Sequence, residues 1–542
     1  MNKTVHAVPS ASHPLPVRDT LRGKSLLVTG VTGFVGKVWI SQLLHDFEEV
    51  GHCFVLIRKS GGNSALQRFN TIAERSPAFR PLREKHGLGL AAFLAKRVTV
   101  LEGDCGKPKA GLDAATLKNL KGLDAIVHFA GLTDFDPDPA QSFAINIVGA
   151  VEMAEIAVQL DAKLIHCSTC FVAGNNGGFV AEAVTPGVSP TGVIFEPQAE
   201  LARLEVIASS DSDKSDRIAA ARARAIELGW PNIYTFTKAM AEHLLAEHTA
   251  KTTIVRPAIV ECSVHYPFAG WNEGLNTTGP LVWLLKGFFR HFPAKADNHH
   301  DVIPVDAVTR STTLILAAHL RGEAEAVYAL GSSHSNPISI GRAVELTNLA
   351  IRQDYGSANA SRSERFFKRF FDTVHVDPDA EHMFAPKKMR RGAKGLQRVL
   401  DAIEVKDVLP KRAYKLIGKQ LEGQKDNASF MLTHADRSFK RLQKLLDMFR
   451  PFIFDNDWVF ANANVRALDG RLSDADRDVV GWIVDDICWR DYWLNILYPG
   501  LNQWCLPIIE GGEVEDDGPM AAPFCLTAAK EAAAPAQNQA VS

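Results

Sequence analysis

The sequence lacks an excess of either charge: 60 basic against 62 acidic side chains leave a formal charge of −2. Nucleic-acid binding needs a basic footprint, so no nucleic-acid partner is expected. Cysteines are few, eight in all, and scattered singly apart from Cys167 and Cys170. No disulfide framework is read from such spacing, and a reducing cytoplasm is the expectation. No secretory hydrophobic region opens the chain; "MNKTVHAVPSASHPLPVRDT" is polar and proline-rich. No run is both apolar and uncharged over the ~18 residues that a spanning helix needs. The strongest candidate, "TGPLVWLLKGFFRHF" (278–292), carries Lys286 and Arg290 and reads as a buried or lid helix. There is no internal repeat. What remains is a chain of 542 residues, 46% hydrophobic and 23% charged, long enough for more than one domain.

Short apolar runs recur along the first 330 residues. They are "KSLLVTG" (24–30), "HCFVLIRK" (52–59), "RVTVLEGD" (97–104), "DAIVHFAG" (124–131), "AKLIHCST" (162–169), "TTIVRPAIV" (252–260) and "AVYALG" (326–331). Helical patterns separate them, as in "QSFAINIVGAVEMAEIAVQL" (141–160). Continuous apolar strands alternating with helices indicate an α/β fold with a parallel sheet covered on both faces. Residues 1–22 read as a flexible tail, 23–350 as the sheet domain and 351–395 as a charged linker. Residues 396–508 read as a mainly helical, aromatic C-terminal domain, and 509–542 as an acidic, then Ala-rich, disordered tail.

"TGVTGFVG" (29–36) follows a strand and opens a helix. Gly30, Gly33 and Gly36 stand three apart. Bare backbone there turns tightly and approaches a pyrophosphate at a helix N-terminus, with Thr32 and Phe34 in the same turn. A plain strand-to-helix turn also uses glycine, so the placement between strand and amphipathic helix carries the dinucleotide expectation. An acidic residue about 20 positions further on would bind a ribose 2′-hydroxyl. Here Arg58 and Lys59 end the second strand, which suits a 2′-phosphate and therefore NADPH; the bland alternative is two solvated charges. Asp104, ending the third strand, is placed for the adenine, and Ala130, in "HFAG", for the ribose.

"HCSTCFVAG" (166–174) poses a choice between thiols and hydroxyls. A zinc site wants two more ligands at matching spacing, and no second CxxC exists, so no metal is expected. Cys167 and Cys170 read as small packing residues. Thr169 and its neighbour Ser168 lie at a strand's carboxyl end, where open parallel sheets place their chemistry. "PNIYTFTKAMAEHLL" (231–245) sets Tyr234 and Lys238 four apart, on one helix face. The Lys238 ammonium and a bound nicotinamide are expected to lower the pKa of the phenol. A lone YxxxK is common by chance; this one follows the nucleotide turn and the fifth strand in order.

"TGVTGFVG", "STCFV" and "YTFTK" together resemble the extended short-chain dehydrogenase/reductases, a doubly wound Rossmann-like fold. Longer stretches are similar to the male-sterility-type, alcohol-forming fatty acyl-CoA reductases. They are "WPNIYTFTKAMAEHLL" (230–245), "IVRPAIVECSVHYPFAGWNEGLN" (254–276), "DVIPVDAV" (301–308), "FRPFIFDNDWVFANANVRAL" (449–468) and "DICWRDYWLNILYPGL" (486–501). The resemblance covers roughly residues 23–508. It implies that Tyr234 and Lys238 are catalytic, Lys238 also holding the cofactor ribose, with Thr169 as their hydroxyl partner and Ser168 the weaker candidate. It implies a fatty acyl-CoA substrate, with acyl carrier protein as the alternative carrier, reduced by NADPH to fatty alcohol through the aldehyde. The interval of 65 positions between Thr169 and Tyr234 is usual for that branch, which inserts a helical segment there. Two departures from the family pattern are expected: Cys170 stands where small or apolar residues are common, and no C-terminal membrane anchor like that of many eukaryotic members is read in the sequence. Three other readings stay open: a thioester reductase stopping at aldehyde, a nucleotide-sugar epimerase or dehydratase, and a non-catalytic NADP sensor.

One stretch belongs to none of these elements. "SERFFKRFF" (363–371) sets Phe366, Phe367, Phe370 and Phe371 among Arg365, Lys368 and Arg369. At helical spacing the phenylalanines share a face, which suits peripheral contact with an anionic membrane. The plainer reading is a helix docked on the protein with its charges in water.

Overall fold

The structure is a computed structural model. It describes residues 13–275, 278–286, 291–357, 373–376, 443–444 and 446–514, with isolated positions 391, 398, 517, 524 and 526. Two compact units are present. One comprises Met1–Trp283, His299–Ile338 and Trp458–Ser542; the other Leu284–Asn298 and Ser339–Asp457.

The first unit holds a seven-stranded sheet. Its strands are β1 (Ser25–Thr29), β2 (His52–Ile57), β3 (Val98–Glu102), β4 (Ala125–His128), β5 (Lys163–Cys167), β6 (Thr252–Pro257) and β7 (Val327–Leu330). The order is β3-β2-β1-β4-β5-β6-β7 and every pairing is parallel. These are the seven apolar runs of the sequence, and the doubly wound Rossmann-like expectation is met. The chain runs outward from β1 to β3 and then returns to β4 on the other side. That reversal opens a crevice at the carboxyl ends of β1 and β4, where such sheets bind ligands.

Both faces are covered. Helix Phe34–Asp46 packs with helix Val305–Arg321. A separate core joins Leu27, Ile126 and Leu164 to Met153 and Ala154 of helix Gly149–Leu160 and Ala241 of helix Ile233–Glu247. The helical run Pro139–Leu160 is long and apolar enough to cross a membrane, but half of it is buried. Its last twelve residues lie against β4 and β5, as a core helix does. The interval between Thr169 and Tyr234 contains helices Pro197–Ser209 and Lys214–Glu227. Leu204, Ala221 and Ala225 there pack with Trp230, Phe236 and Met240.

The division of the chain differs from the sequence-based one. Within the expected N-terminal tail, Val17–Leu21 is helical, with Val17 and Leu21 buried. The Val17 N–H donates to the Asp476 carboxylate at 3.2 Å. The expected C-terminal domain is split: Trp458 onward belongs to the unit that holds the sheet. Strand Trp458–Phe460 pairs with Gly178–Val180, and the Tyr492 hydroxyl donates to the Cys262 carbonyl at 2.7 Å. Within the expected disordered tail, Asp517 takes hydrogen bonds from Arg80 at 3.1 and 2.5 Å and pairs with Arg83. An aromatic-rich segment shows in sequence that it must be buried, but not against which surface.

In the second unit, helix Ile340–Ser357 is described, as is a parallel pair of short strands, His291–Pro293 and Val374–Val376. Asn298 donates to the Asn456 carbonyl at 2.9 Å, and Lys295 lies 4.8 Å from the Phe454 ring centroid. The basic, phenylalanine-rich stretch 363–371 lies outside the described residues, as do most of the charged linker and residues 399–442.

Candidate functional site

The glycine turn leaves β1 and starts helix Phe34–Asp46 with Gly33 as N-cap. Gly30 has φ +75°, and a Cβ on it would sit 2.6 Å from the Phe129 carbonyl carbon and the Ala130 nitrogen. A Cβ on Gly36 would sit 2.5 Å from the Gly30 oxygen. These two glycines let β1, β4 and the helix touch. Gly33 differs: it is exposed, and a Cβ there would meet only the Gly30 oxygen, at 3.4 Å. No side chain caps the helix start. A helix's first N–H groups have no partner inside the helix, so this open face is the part of the turn that fits a diphosphate. Thr32 is half-buried in the turn, and Phe34 places its ring 5.3 Å from that of Trp271.

Arg58 and Lys59 are exposed immediately after β2. A third cation, which the sequence reading missed, joins them: Arg68 donates to the Arg58 carbonyl at 2.6 Å. Burial, then the charge of Arg58, lowers the pKa of Arg68. Among the described residues no carboxylate pairs with any of the three. Asp104 turns inward on its own loop, accepting from the Gly106 N–H at 3.1 Å while its N–H donates to Ala110 at 2.8 Å. The Ala130 N–H donates to the Thr29 hydroxyl at 3.2 Å, tying β4's exit to the end of β1.

Thr169, Tyr234 and Lys238 come together at the carboxyl end of β5. Thr169 is buried; its hydroxyl accepts from the Phe171 N–H at 3.3 Å and lies 3.4 Å from the Pro257 carbonyl. It also lies near enough to the Tyr234 phenol to lower that group's pKa. Tyr234 is the second residue of helix Ile233–Glu247, which Asn232 caps by accepting from the Thr235 N–H at 2.8 Å. Lys238, one turn on, donates to the Cys167 carbonyl at 2.6 Å and lies 3.5 Å from Nε2 of His166. The hydroxyl of Ser168 is buried without a partner among the described residues.

The phenol's acidity differs from expectation. Burial, then the neighbouring Cys167, pushes the Tyr234 pKa up, and only Thr169 works against this. The Lys238 ammonium is directed at the Cys167 carbonyl, and its own pKa is lowered by burial. Tyr234 is therefore protonated at neutral pH, as a proton donor must be. The thiols are inert: burial pushes Cys167 up to about 11 and Cys170 well above the usual thiol range. The Cys170 thiol donates to the Arg256 carbonyl at 2.9 Å.

Asn146 also belongs to the site and was not anticipated. Its side-chain amide accepts from the Leu132 N–H at 2.7 Å and donates to the Leu132 carbonyl at 3.0 Å and to Thr237 at 2.9 Å. It thereby clamps the loop after β4 to the helix carrying Tyr234 and Lys238. Its signal was a lone amide inside an apolar helical run.

A family model described as male sterility protein matches residues 28–312, and a second of the same description matches 410–507. "Probable fatty acyl-CoA reductase 5" of Arabidopsis thaliana is 27% identical over 509 residues, 89% of this chain and 97% of its own. "Alcohol-forming fatty acyl-CoA reductase" of Simmondsia chinensis is 25% identical over 517 residues, 90% of this chain and 99% of its own. Among solved structures, the reductase domain of a non-ribosomal peptide synthetase from Mycobacterium tuberculosis aligns with a TM-score of 0.46 at 16% identity. It covers 86% of this chain and 94% of that one. The chain belongs to the male sterility protein family.

Proposed function

We propose that the protein reduces a long-chain fatty acyl-CoA to the fatty alcohol, using NADPH and passing through the fatty aldehyde. The observation that carries this reading is the joining of Thr169, Tyr234 and Lys238 beside a glycine turn with an open helix N-terminus. The Simmondsia relative's name favours alcohol as the product. The three cations Arg58, Lys59 and Arg68, which no carboxylate among the described residues pairs with, favour a cofactor with a 2′-phosphate over one with a free ribose hydroxyl.

NADPH supplies hydride when bound, once per reduction. The residues of the chain do the rest. Thr169 and Tyr234 donate hydrogen bonds to the thioester carbonyl oxygen as negative charge develops there. The tetrahedral oxyanion then collapses, expelling the CoA thiolate, which takes a proton from solvent, and leaves the aldehyde. In the second reduction Tyr234 gives its proton to the aldehyde oxygen. Lys238, held by the Cys167 carbonyl one helical turn from the phenol, is placed to hold the ribose of the cofactor. Asn146 keeps the loop after β4 in register with this helix. No acyl-enzyme is formed, so Cys170 has no chemical part.

The nearest rival is release at the aldehyde stage. Purified protein supplied with C8 to C18 acyl-CoAs should consume two NADPH per thiol released and yield alcohol by mass. One NADPH per thiol, with aldehyde accumulating, would select the rival. Turnover with NADH equal to that with NADPH would remove the cofactor assignment.

A further inference from the structure

Lys238 is 4% exposed, and an ammonium so placed needs acceptors. Beside the Cys167 carbonyl, the second group facing it is Nε2 of His166, at the outer edge of hydrogen-bonding distance. His166 is wholly buried, and its ring stacks on that of His128 with centroids 5.4 Å apart and planes 25° apart. His128 bonds Thr29 through Nδ1 at 2.8 Å. The sheet register sets His128 opposite both Thr29 and His166. Neighbouring strands β1, β4 and β5 thus carry a polar column through an apolar sheet, and it ends under Lys238. Nδ1 of His166 and Nε2 of His128 have no partner among the described residues, so packing and hydrogen bonding within the sheet do not account for these imidazoles.

We propose that His166 is a positioning residue for Lys238: its imidazole and the Cys167 carbonyl together hold the ammonium one helical turn from Tyr234. The proposal rests on the place given to Lys238 in the reductase reading. Burial, then Lys238 and His128, pushes the His166 pKa well down, so the ring is neutral and Nε2 can accept with the proton on Nδ1. A neutral acceptor steadies the ammonium without cancelling its charge, which a carboxylate would do.

The other titratable groups around Lys238 do not replace this contact. Tyr234 and Glu242 share its helix, and Glu242 is bound to Arg256 of β6. Cys167 and His128 come from β5 and β4, and both are held neutral by burial. Burial already lowers the Lys238 pKa, so an acceptor lost here lowers it further.

The test compares His166→Leu, which removes the acceptor, with His166→Gln, whose Oε1 reaches the place of Nε2. The pH profile of kcat for NADPH-dependent reduction of decanal is measured for both and for the wild type. In His166→Leu, kcat should fall about tenfold at unchanged decanal KM, and the alkaline limb should move about one unit toward neutral pH. His166→Gln should restore both. Equal loss in the two variants with an unmoved limb makes His166 a packing residue and overturns the proposal. If His166→Leu does not fold, His166→Asn, too short to reach Lys238, takes its place with the same outcomes. If the wild type reduces neither acyl-CoA nor decanal, the reductase reading fails separately. The proposal is then decided by NADPH fluorescence titration against pH, where the same shift and rescue support it and coincident profiles overturn it.

Discussion

Arg256 and Glu242 form a buried ion pair between β6 and helix Ile233–Glu247: Nε of Arg256 lies 3.0 and 3.1 Å from the two carboxylate oxygens. The side chains are 6% and 2% exposed. Arg256 comes from β6 and Glu242 from one turn beyond Lys238, so the pair sets the helix against the sheet. A second guanidinium nitrogen donates to the Ala183 carbonyl at 3.0 Å. Glu242→Ala leaves a buried guanidinium without its counter-charge and should cost about 3–5 kcal/mol. Urea unfolding checks this, and Glu242→Leu with Arg256→Met should recover most of the loss, because it leaves no buried charge behind.

Tyr234→Phe removes the proton donor and keeps the ring that stands 6.4 Å from Phe135. NADPH binding should stay within about twofold, while turnover should fall by roughly 10²–10⁴. Thr169→Val should lose less, because Tyr234 still faces the carbonyl oxygen. Near-normal turnover in the tyrosine variant would remove Tyr234 from the mechanism. Cys167→Ala with Cys170→Ala should change kcat little, since neither thiol ionises near neutral pH.

Much of this was legible in the sequence, for identifiable reasons. The seven strands are buried on both faces, so each reads as a continuous apolar run. The glycine turn and YxxxK are short local patterns whose geometry depends on a few adjacent residues. What escaped depends on contacts between distant positions. Arg68 meets Arg58 only because the helix after β2 folds back. Asn146 and His166 look like ordinary members of apolar runs until Leu132 and Lys238 are placed beside them. The direction of the Tyr234 pKa was misjudged because Lys238 is a chain neighbour but aims its charge at Cys167.

Gly30 and Gly33 should separate fold from binding. Gly30→Ala forces a side chain into positive φ with backbone 2.6 Å away, and should cost about 2–5 kcal/mol in strain and overpacking. Gly33 has φ −93° and open space, so Gly33→Ala should keep the wild-type Tm. It should nevertheless weaken NADPH at least about tenfold, ~1.4 kcal/mol, by standing where the diphosphate approaches. Unchanged affinity would move the diphosphate off this turn.

Arg58→Ala, Lys59→Ala and Arg68→Ala, made singly and together, should raise the KM for NADPH far more than that for NADH. Hydrogen bonds to a charged phosphate contribute about 1.5–3 kcal/mol each, so a triple variant should lose at least about a hundredfold in preference. Equal loss with both cofactors would mean that the cluster does not read the 2′-phosphate. A rise in stability of the triple variant without cofactor is also expected, since three like charges repel one another when no anion is present.

Acid should weaken the fold well before carboxylates at the surface titrate. Five buried histidines are held neutral by desolvation: His128 at about 3, His243, His300 and His319 at about 4, and His166 well below its usual value. Their unfolded pKa is about 6.5, so below that value the unfolded chain binds protons that the folded chain refuses. Stability therefore rises with pH through this window, by about 1.4 kcal/mol per unit for each such histidine, and levels off above about pH 6.5. Glu182, pushed up to about 7 by burial, and Asp301, also raised, act in the opposite sense because the folded state holds their protons. Two groups against five leave the net slope positive between about pH 4.5 and 6.5. Guanidinium unfolding at pH 5.0 and 7.5 should show the lower midpoint at pH 5.0 with an unchanged m-value. His300→Phe, filling a buried site next to Trp493, should reduce that difference by about one histidine's share. A midpoint independent of pH would mean that these rings are hydrated or paired in solution.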